Sequence, residues 1–449
     1  MRVAVVGAGW AGLAAAVKAT QAGHRVTVFE ASRNVGGRAR ALPVTLPDGR
    51  AVMLDNGQHI LIGAYTETLQ LMRLVGVDPK QVLLERPMTL QFADGTGIRF
   101  GNGPAPLDAL QGMLTARGWR WADKSSLLGA TLRWRREAFS CDVGLTVAAL
   151  CQTLTARVRA DLIEPLCVSA LNTPADQASA TVFLRVLRDA LFGANGSSHL
   201  LLPRASLNVL LPDAALRWLT HNGGTLHLAS RVTAVMQSGD QWLVNGTPFD
   251  SAVFACSARN TAQALMQSAP AATPEIAKNI MAWTAVVNAL RFEAITTVYA
   301  RSPTATLPQP MLALRSSADA PAQFVFDRGQ LGGPAGLLAF VVSASPGEGA
   351  RLQTQVLAQA RAQLSLHLQA VQTVVEKQAT FACTPVLVRP AMQIAPRLLA
   401  CGDYVAGPYP ATLEGAVRSG VAAAAAIDPN PSSSTDVNHA MVHPRMIHP

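Results

Sequence analysis

Aromatic residues are scarce in this chain: they make up 5% of 449 residues, with only four tyrosines. With so few aromatics and no basic stripe interleaved among them, the composition argues against nucleic-acid binding. Charged residues are also scarce, at 14% against 49% hydrophobic. Even so, no apolar run approaches the roughly eighteen residues of a membrane span. The stretch Gly420–Ile427 reads as an alanine-rich helix. No C-x-x-C pair occurs. The six cysteines (Cys141, Cys151, Cys167, Cys256, Cys383 and Cys401) sit singly in apolar segments. They read as small buried residues of a reducing, cytoplasmic compartment, not as disulfides or zinc ligands. The nine histidines lack metal-ligand spacing, so no metal is expected. No repeat of twenty to fifty residues is visible.

What remains is a long, apolar, basic chain. Its length suits two or three domain-sized cores. The apolar bias implies either a large buried site or a greasy exposed face. Lys and Arg number 37 against 28 Asp and Glu, a net charge of +9, with a local cluster at Arg133-Trp-Arg-Arg136. Basic and apolar without a span fits peripheral contact with an anionic membrane surface. A bland basic surface fits equally well, and both readings stay open.

The first motif is VAVVGAGWAG, Val3 to Gly12. A lone Arg2 followed by small apolar residues also suits a secretory signal. The next residues exclude that reading: Ala22-Gly23 ends a helix, and Arg25-Val-Thr-Val-Phe29 is a second strand closed by Glu30. Strand, glycine turn, helix, strand and terminal acid fill the length of one dinucleotide-binding βαβ unit. Gly7 permits the tight turn, Gly9 the approach of a pyrophosphate, and Gly12 close helix–strand packing. The helix N-terminus offers unpaired N–H groups to the phosphates, and Glu30 is placed to accept from a ribose hydroxyl.

Further along, Gly36-Gly37-Arg38 comes after the acid, and Met53–His59 leads into a helical pattern over Thr66–Val75. Met88–Phe92 and Ile98–Phe100 form a hairpin pattern. From Leu107 to about Leu191 the pattern is helical, with breaks expected at Pro165 and Asn172-Thr-Pro174. His199–Leu202 is a short apolar run. A helix is expected over Leu207–Asn222, then paired strands at Thr225–Met236 and Trp242–Val244, and a buried strand at Ser251–Cys256. Strand-rich runs come next at Val286–Phe292, Phe324–Phe326 and Leu337–Val342, with one long helix over Gly349–Val371. Leu398–Tyr404 returns to a nucleotide-fold signature.

In order and spacing these segments resemble the amine oxidase and phytoene desaturase superfamily of FAD enzymes. The resemblance rests on Gly7, Gly9 and Gly12 with Glu30, Gly36-Gly37-Arg38, Ser251–Ser257, Cys401-Gly-Asp403 and Glu414-Gly-Ala-Val-Arg-Ser-Gly420. Ser257 departs from the proline many members carry there. The resemblance implies an α/β fold: a discontinuous Rossmann-like FAD-binding domain (1–80, 203–280 and 384–428) and a second α+β substrate-binding domain built from two insertions (81–202 and 281–383). The tail 429–449 is expected to be disordered. FAD is the implied cofactor. Arg38 then offers a planar donor fork to the diphosphate, and Asp403 accepts from a ribitol hydroxyl. The backbone at Val232 lies along the adenine. A helix starting near Ala411, with Thr412 and Leu413 at its head, aims its N-terminus at the flavin pyrimidine.

Leu54-Asp-Asn-Gly-Gln-His-Ile-Leu-Ile-Gly63, Glu164-Pro-Leu-Cys-Val-Ser-Ala-Leu-Asn-Thr-Pro174 and Leu200-Leu-Leu-Pro-Arg204 resemble, more narrowly, the hydroxysqualene dehydroxylase family. That implies a long apolar isoprenoid substrate, an allylic hydroxyl replaced by hydride from reduced FAD, and association with upstream squalene-pathway enzymes. His59 is the candidate acid or orienting group. Asp55 is expected to orient His59 or a flavin-side backbone group, Asn172 to line the substrate cavity, and Cys167 either to line it with Asn172 or to be plain core packing. A carotenoid-type desaturase shares the fold and composition. An amine oxidase, drawing on Tyr404 and Tyr409, is disfavoured by the shortage of aromatics. A lipid escort without redox chemistry is disfavoured by the intact glycine turn. No second G-x-G-x-x-G/acid unit for NAD(P)H appears.

Overall fold

The computed structural model describes residues 1–427 apart from 102, 104, 192 and 346, so the tail 429–449 lies outside the described residues. Strand Arg2–Val6 is central to a six-stranded sheet. It pairs in parallel with Arg25–Phe29 on one side and Ser251–Phe254 on the other. Thr225–His227 and Leu398–Ala400 extend the parallel set outward, and Gln393–Ala395 closes one edge antiparallel. Val3 to Val6 are buried, as a strand with neighbours on both edges and helices on its faces must be.

Helix Trp10–Gln21 runs back over this sheet, and the C-terminal helix Leu413–Ala425 crosses it at close range. Small residues permit the crossing: a Cβ on Gly420 would fall 2.2 Å from the Ala11 carbonyl oxygen. The second region is built on an antiparallel sheet. Its order is Met311–Ala313, Phe324–Asp327, Leu337–Val342, Phe292–Arg301 and Gln369–Phe381. Helix Gly349–Leu364 backs one face of it, over a separate buried cluster. Helices Trp121–Arg136, Glu164–Leu171 and Ala180–Leu191 share a continuous core that reaches from the parallel sheet to this second sheet. The chain is therefore α/β, with a discontinuous parallel sheet and a second α+β region.

Several elements differ from the sequence expectation. The long helix stops at Leu364 because Ser365 turns left-handed (φ 55°). The β-branched run beyond it belongs to the thirteen-residue strand Gln369–Phe381. Val286 and Val287 close the helix Pro274–Asn288, whose Ile276, Ile280, Trp283 and Val287 are buried at helical spacing, and the strand starts only at Phe292. Thr225–Met236 divides: Thr225–His227 joins the parallel sheet, and Val235–Ser238 forms the hairpin with Gln241–Val244. Leu207–Asn222 is interrupted at Leu211, where Pro212 opens a second helix. Pro165 breaks nothing, because the π-helical turn Arg159–Ile163 feeds directly into Glu164–Leu171. The wider π-helical turn immediately before it carries the proline within one continuous helical run, as π-bulges do where the i→i−4 ladder is interrupted.

Candidate functional site

One cavity of about 710 Å³ runs from the glycine turn, past the head of the C-terminal helix, into an apolar chamber. At its first end Gly7 holds φ 115°, and a Cβ there would sit 2.8 Å from the Ala255 carbonyl oxygen. A Cβ on Gly12 would fall 1.9 Å from the Gly7 carbonyl oxygen. Helix Trp10–Gln21 begins with no side-chain cap, so its first N–H groups are left for a ligand at the cavity wall. The Gly36 N–H donates to the Ala8 carbonyl (2.8 Å), which lays the Gly36-Gly37 turn against the first glycine turn. Glu30 braces this junction: one carboxylate oxygen accepts from the Ala8 N–H at 2.7 Å and the other from Ser32 N–H at 2.8 Å. Val232 lines the same end, with no backbone bond from it among the described residues.

Arg38 and Asp403, expected on different parts of a cofactor, form an ion pair with each other at the cavity wall. The guanidinium also donates to the carbonyls of Ala379 (2.8 Å) and Gln378 (3.2 Å) on the long strand of the second sheet. Burial alone lowers the Arg38 pKa, and the groups around it, Asp403 first and then Glu376, more than reverse that.

The head of helix Leu413–Ala425 is built tightly. Thr412 caps it, accepting from the Gly415 N–H at 3.0 Å and donating to the Tyr409 carbonyl at 2.7 Å. Tyr409 and Ala411 both adopt left-handed backbone (φ 53° and 59°), which non-glycine residues reach only under such restraint. Glu414, which sequence reading quoted only as part of a motif, is fully buried. It accepts from the Thr68 N–H (2.9 Å), the Thr68 hydroxyl (2.7 Å), Glu67 N–H (3.1 Å) and Arg418 Nε (2.7 Å). These bonds fix the helix head against helix Thr66–Leu74. Tyr65, another cavity residue that sequence reading missed, meets Tyr409 edge-on at 6.1 Å.

His59 lines the cavity, and its Nδ1 donates to the Gly57 carbonyl at 2.8 Å. A carbonyl only accepts, so Nδ1 carries the proton and the neutral ring keeps a lone pair on Nε2. Burial lowers the His59 pKa, which favours this neutral form. The loop beneath it is pinned by Asn56, which accepts from Arg40 N–H (3.0 Å) and donates to the Arg38 carbonyl (2.7 Å). Arg328 donates to the Gln58 side chain (3.2 Å).

Two expectations need correction. Of the two roles expected of Asp55, orienting His59 is not seen: its carboxylate is buried away from the cavity and holds a backbone group instead, accepting from the Leu207 N–H at 2.8 Å, while its carbonyl accepts from Tyr299 OH at 2.8 Å. Desolvation raises the Asp55 pKa to about 6. Of the two readings of Cys167, core packing is the one seen: it does not line the cavity but is fully buried in the helical core, its thiol 3.5 Å from the Thr173 carbonyl. Asn172 does line it, as the left-handed end of helix Glu164–Leu171 (φ 46°). Its side chain donates to Thr380 Oγ1 at 2.9 Å and accepts from Ala344 N–H at 2.6 Å, so both polar ends are engaged. The chamber beyond is walled by Ile62, Leu166, Val186, Phe324, Phe326 and Val341.

Residues 10–428 match the flavin-containing amine oxidoreductases. The chain belongs to that family. It is an FAD-dependent oxidoreductase, and the uncapped helix head, the close glycine turns and the free Val232 backbone fit a dinucleotide cofactor. It is 27% identical to a hydroxysqualene dehydroxylase of Rhodopseudomonas palustris over 94% of this chain and 97% of that one. A hydroxysqualene dehydroxylase of Zymomonas mobilis is 28% identical over 52% of this chain, a match spanning 55% of that relative. An oxidoreductase from Methanosarcina mazei shares the fold with a TM-score of 0.72 at 16% identity, over 94% of this chain and 99% of that structure. Among the described residues no cluster of His, Cys, Asp and Glu is placed to hold a metal ion, and no helix is long and apolar enough to cross a membrane.

Proposed function

We propose that the chain catalyses FAD-dependent reductive dehydroxylation of hydroxysqualene to squalene, within squalene and hopanoid synthesis. The observation that carries this reading is the single cavity that joins the cofactor cleft to an apolar chamber. The likeness to hydroxysqualene dehydroxylases supports it. In this reading the uncapped N–H groups in the first turn of helix Trp10–Gln21 hold the diphosphate, Glu30 the adenosine ribose and Val232 the adenine. Arg38 and Asp403 exchange part of their mutual pairing for the diphosphate–ribitol end. Thr412 and Leu413 present the helix head to the flavin pyrimidine. Contact with the cytoplasmic membrane face and with the enzymes that make hydroxysqualene belongs to the same reading.

Replacing the hydroxyl consumes one hydride and one proton and releases water. Bound reduced FAD supplies the hydride. The apolar walls exclude water from the delocalised allylic cation and hold the chain in one orientation. Such pre-positioning is worth several kcal/mol, about 7–11 at its upper end. His59, neutral with its proton on Nδ1, accepts the substrate O–H at Nε2 and so orients the hydroxyl before it leaves. With no proton on Nε2 it does not supply the one that departs in the water, which comes from a separate donor. This assigns His59 the orienting role rather than the acid's. The test is product analysis: reduced enzyme incubated with hydroxysqualene yields squalene. New conjugated double bonds in phytoene, with no squalene formed, would sink the proposal in favour of a desaturase.

A further inference from the structure

Helix Ala105–Leu114 leaves Leu107, Leu110 and Leu114 exposed at i, i+3 and i+7, with Leu107 at 63%. Helix Trp121–Arg136 buries one stripe (Asp123, Leu127, Ala130, Trp134) and exposes the opposite one. The exposed stripe carries Trp121, Leu128 and Leu132 at i, i+7 and i+11, with Trp121 at 76% and Leu132 at 53%. A helix apolar on both faces has a second surface to cover. The two helices are joined where Lys124 Nζ donates to the Leu114 carbonyl and lies 5.4 Å over the Trp121 ring. Their exposed stripes therefore meet in one patch.

The charges around that patch are sorted by sign. From 107 to 136 the two acids, Asp108 and Asp123, are buried, and Asp123 is occupied by Arg120 N–H (2.8 Å) and the Thr155 hydroxyl (2.6 Å). The exposed charges are basic along both helices (Arg117, Arg120, Arg135 and Arg136, with Lys124 half-buried beside them), and the one exposed acid, Glu137, comes only at the C-cap of the second helix. An aromatic and leucine stripe framed by arginines and lysine, with two of its three neighbouring carboxylates turned inward and the third at a helix end, matches a surface that is negative outside and apolar within. The patch also leads to the site. Helix Ala105–Leu114 packs on helix Ala180–Leu191, which contributes Val186 and Ala190 to the cavity wall.

We infer that the exposed faces of helices Ala105–Leu114 and Trp121–Arg136 are the docking surface for an anionic lipid bilayer. Docked there, the protein holds helix Ala180–Leu191, which supplies part of the cavity wall, close to the phase in which a long isoprenoid dissolves. The delivery role rests on the proposed isoprenoid substrate; the docking itself does not.

The test is flotation of the FAD-loaded protein with phosphatidylcholine vesicles, with and without phosphatidylglycerol. The wild type is expected to float with the anionic vesicles, and added salt to weaken that binding. A Trp121→Ser/Leu128→Ser/Leu132→Ser variant, altered only at exposed positions, should lose binding about tenfold or more while keeping its flavin absorbance and melting temperature. Its turnover should fall for substrate presented in vesicles and not for substrate dispersed in detergent. Absence of wild-type binding to anionic vesicles, or unchanged binding by the variant, overturns the inference. So does sedimentation showing that the wild type without vesicles is a dimer that the same substitutions dissociate. The flotation and sedimentation measurements do not depend on which substrate is turned over, so their failure is separable from failure of the proposed reaction.

Discussion

The guanidinium of Arg38 is paired with the carboxylate of Asp403 across 365 positions of chain. The same side chain reaches the carbonyls of Gln378 and Ala379, so one residue ties the Gly36-Gly37 turn, the end of the parallel sheet and the long strand of the second sheet together.

Asp403→Ala strips a largely enclosed cation of its partner and is expected to cost about 2–3 kcal/mol, below the full figure for breaking a buried pair because Arg38 is about a third exposed. Its FAD content, read from the ratio of flavin to protein absorbance, should fall as well. The double variant Arg38→Gln/Asp403→Asn should recover much of the thermal stability. Strictly additive losses in the double variant would show that the two groups do not act as a pair.

Gly420→Ala puts a methyl group 2.2 Å from the Ala11 carbonyl oxygen and must push the C-terminal helix off the first one. A loss of about 1–3 kcal/mol is expected, with weaker FAD retention. Gly129→Ala, in an exposed helical position with nothing within 4 Å of the new atom, serves as control and should gain about 0.5–1 kcal/mol. Equal melting temperatures for the two variants would contradict the close-crossing account.

Asp55 is buried and its pKa is raised to about 6. The native state therefore binds a proton more readily than the unfolded chain between about pH 4 and 6. Stability from this group is full at low pH and is lost as pH rises through 6. Asp55→Asn keeps an acceptor for the Leu207 N–H but cannot titrate. The difference in melting temperature, wild type minus Asp55→Asn, should grow as pH falls from 7 to 5. A constant difference would mean that the carboxylate does not titrate in that window.

His59 has the opposite sign. Its folded pKa lies below the ordinary 6.5, so the neutral form is native at pH 7. Protonation removes the Nε2 acceptor and places a cation beside a developing allylic cation. The pH profile of kcat/KM should be flat above neutrality and fall as pH drops through the lowered His59 value, and His59→Leu should flatten that acid limb while reducing kcat about tenfold to a hundredfold. A rate that climbs toward low pH would make His59 the acid instead.

The cofactor half of the protein was legible in the sequence because its geometry admits few residues. Gly7, Gly12 and Gly420 occupy places where a Cβ meets a backbone oxygen, and such demands print themselves as motifs. The second half was less legible because it is held by distant contacts. Ser365, left-handed, ends a helix whose pattern runs on; the β-branched residues after it are claimed by strand Phe292–Arg301. Asp55 and His59 stand four apart in the sequence, yet a Leu207 N–H takes one and a Gly57 carbonyl the other. Cys167 and Asn172 share a helix, but only the residue at its left-handed end reaches the cavity. The pairing of Arg38 with Asp403 had no signal beyond the presence of both in cofactor motifs.

The central claim, that hydride flows from FAD to an allylic alcohol, is tested most directly by anaerobic stopped-flow spectroscopy. The photoreduced protein is mixed with hydroxysqualene, flavin reoxidation is followed, and squalene is quantified from the same mixture. The account predicts reoxidation that depends on hydroxysqualene and yields one squalene for each flavin reoxidised. Reduced flavin that stays reduced in the presence of hydroxysqualene, while oxidised enzyme desaturates another polyene, would contradict it.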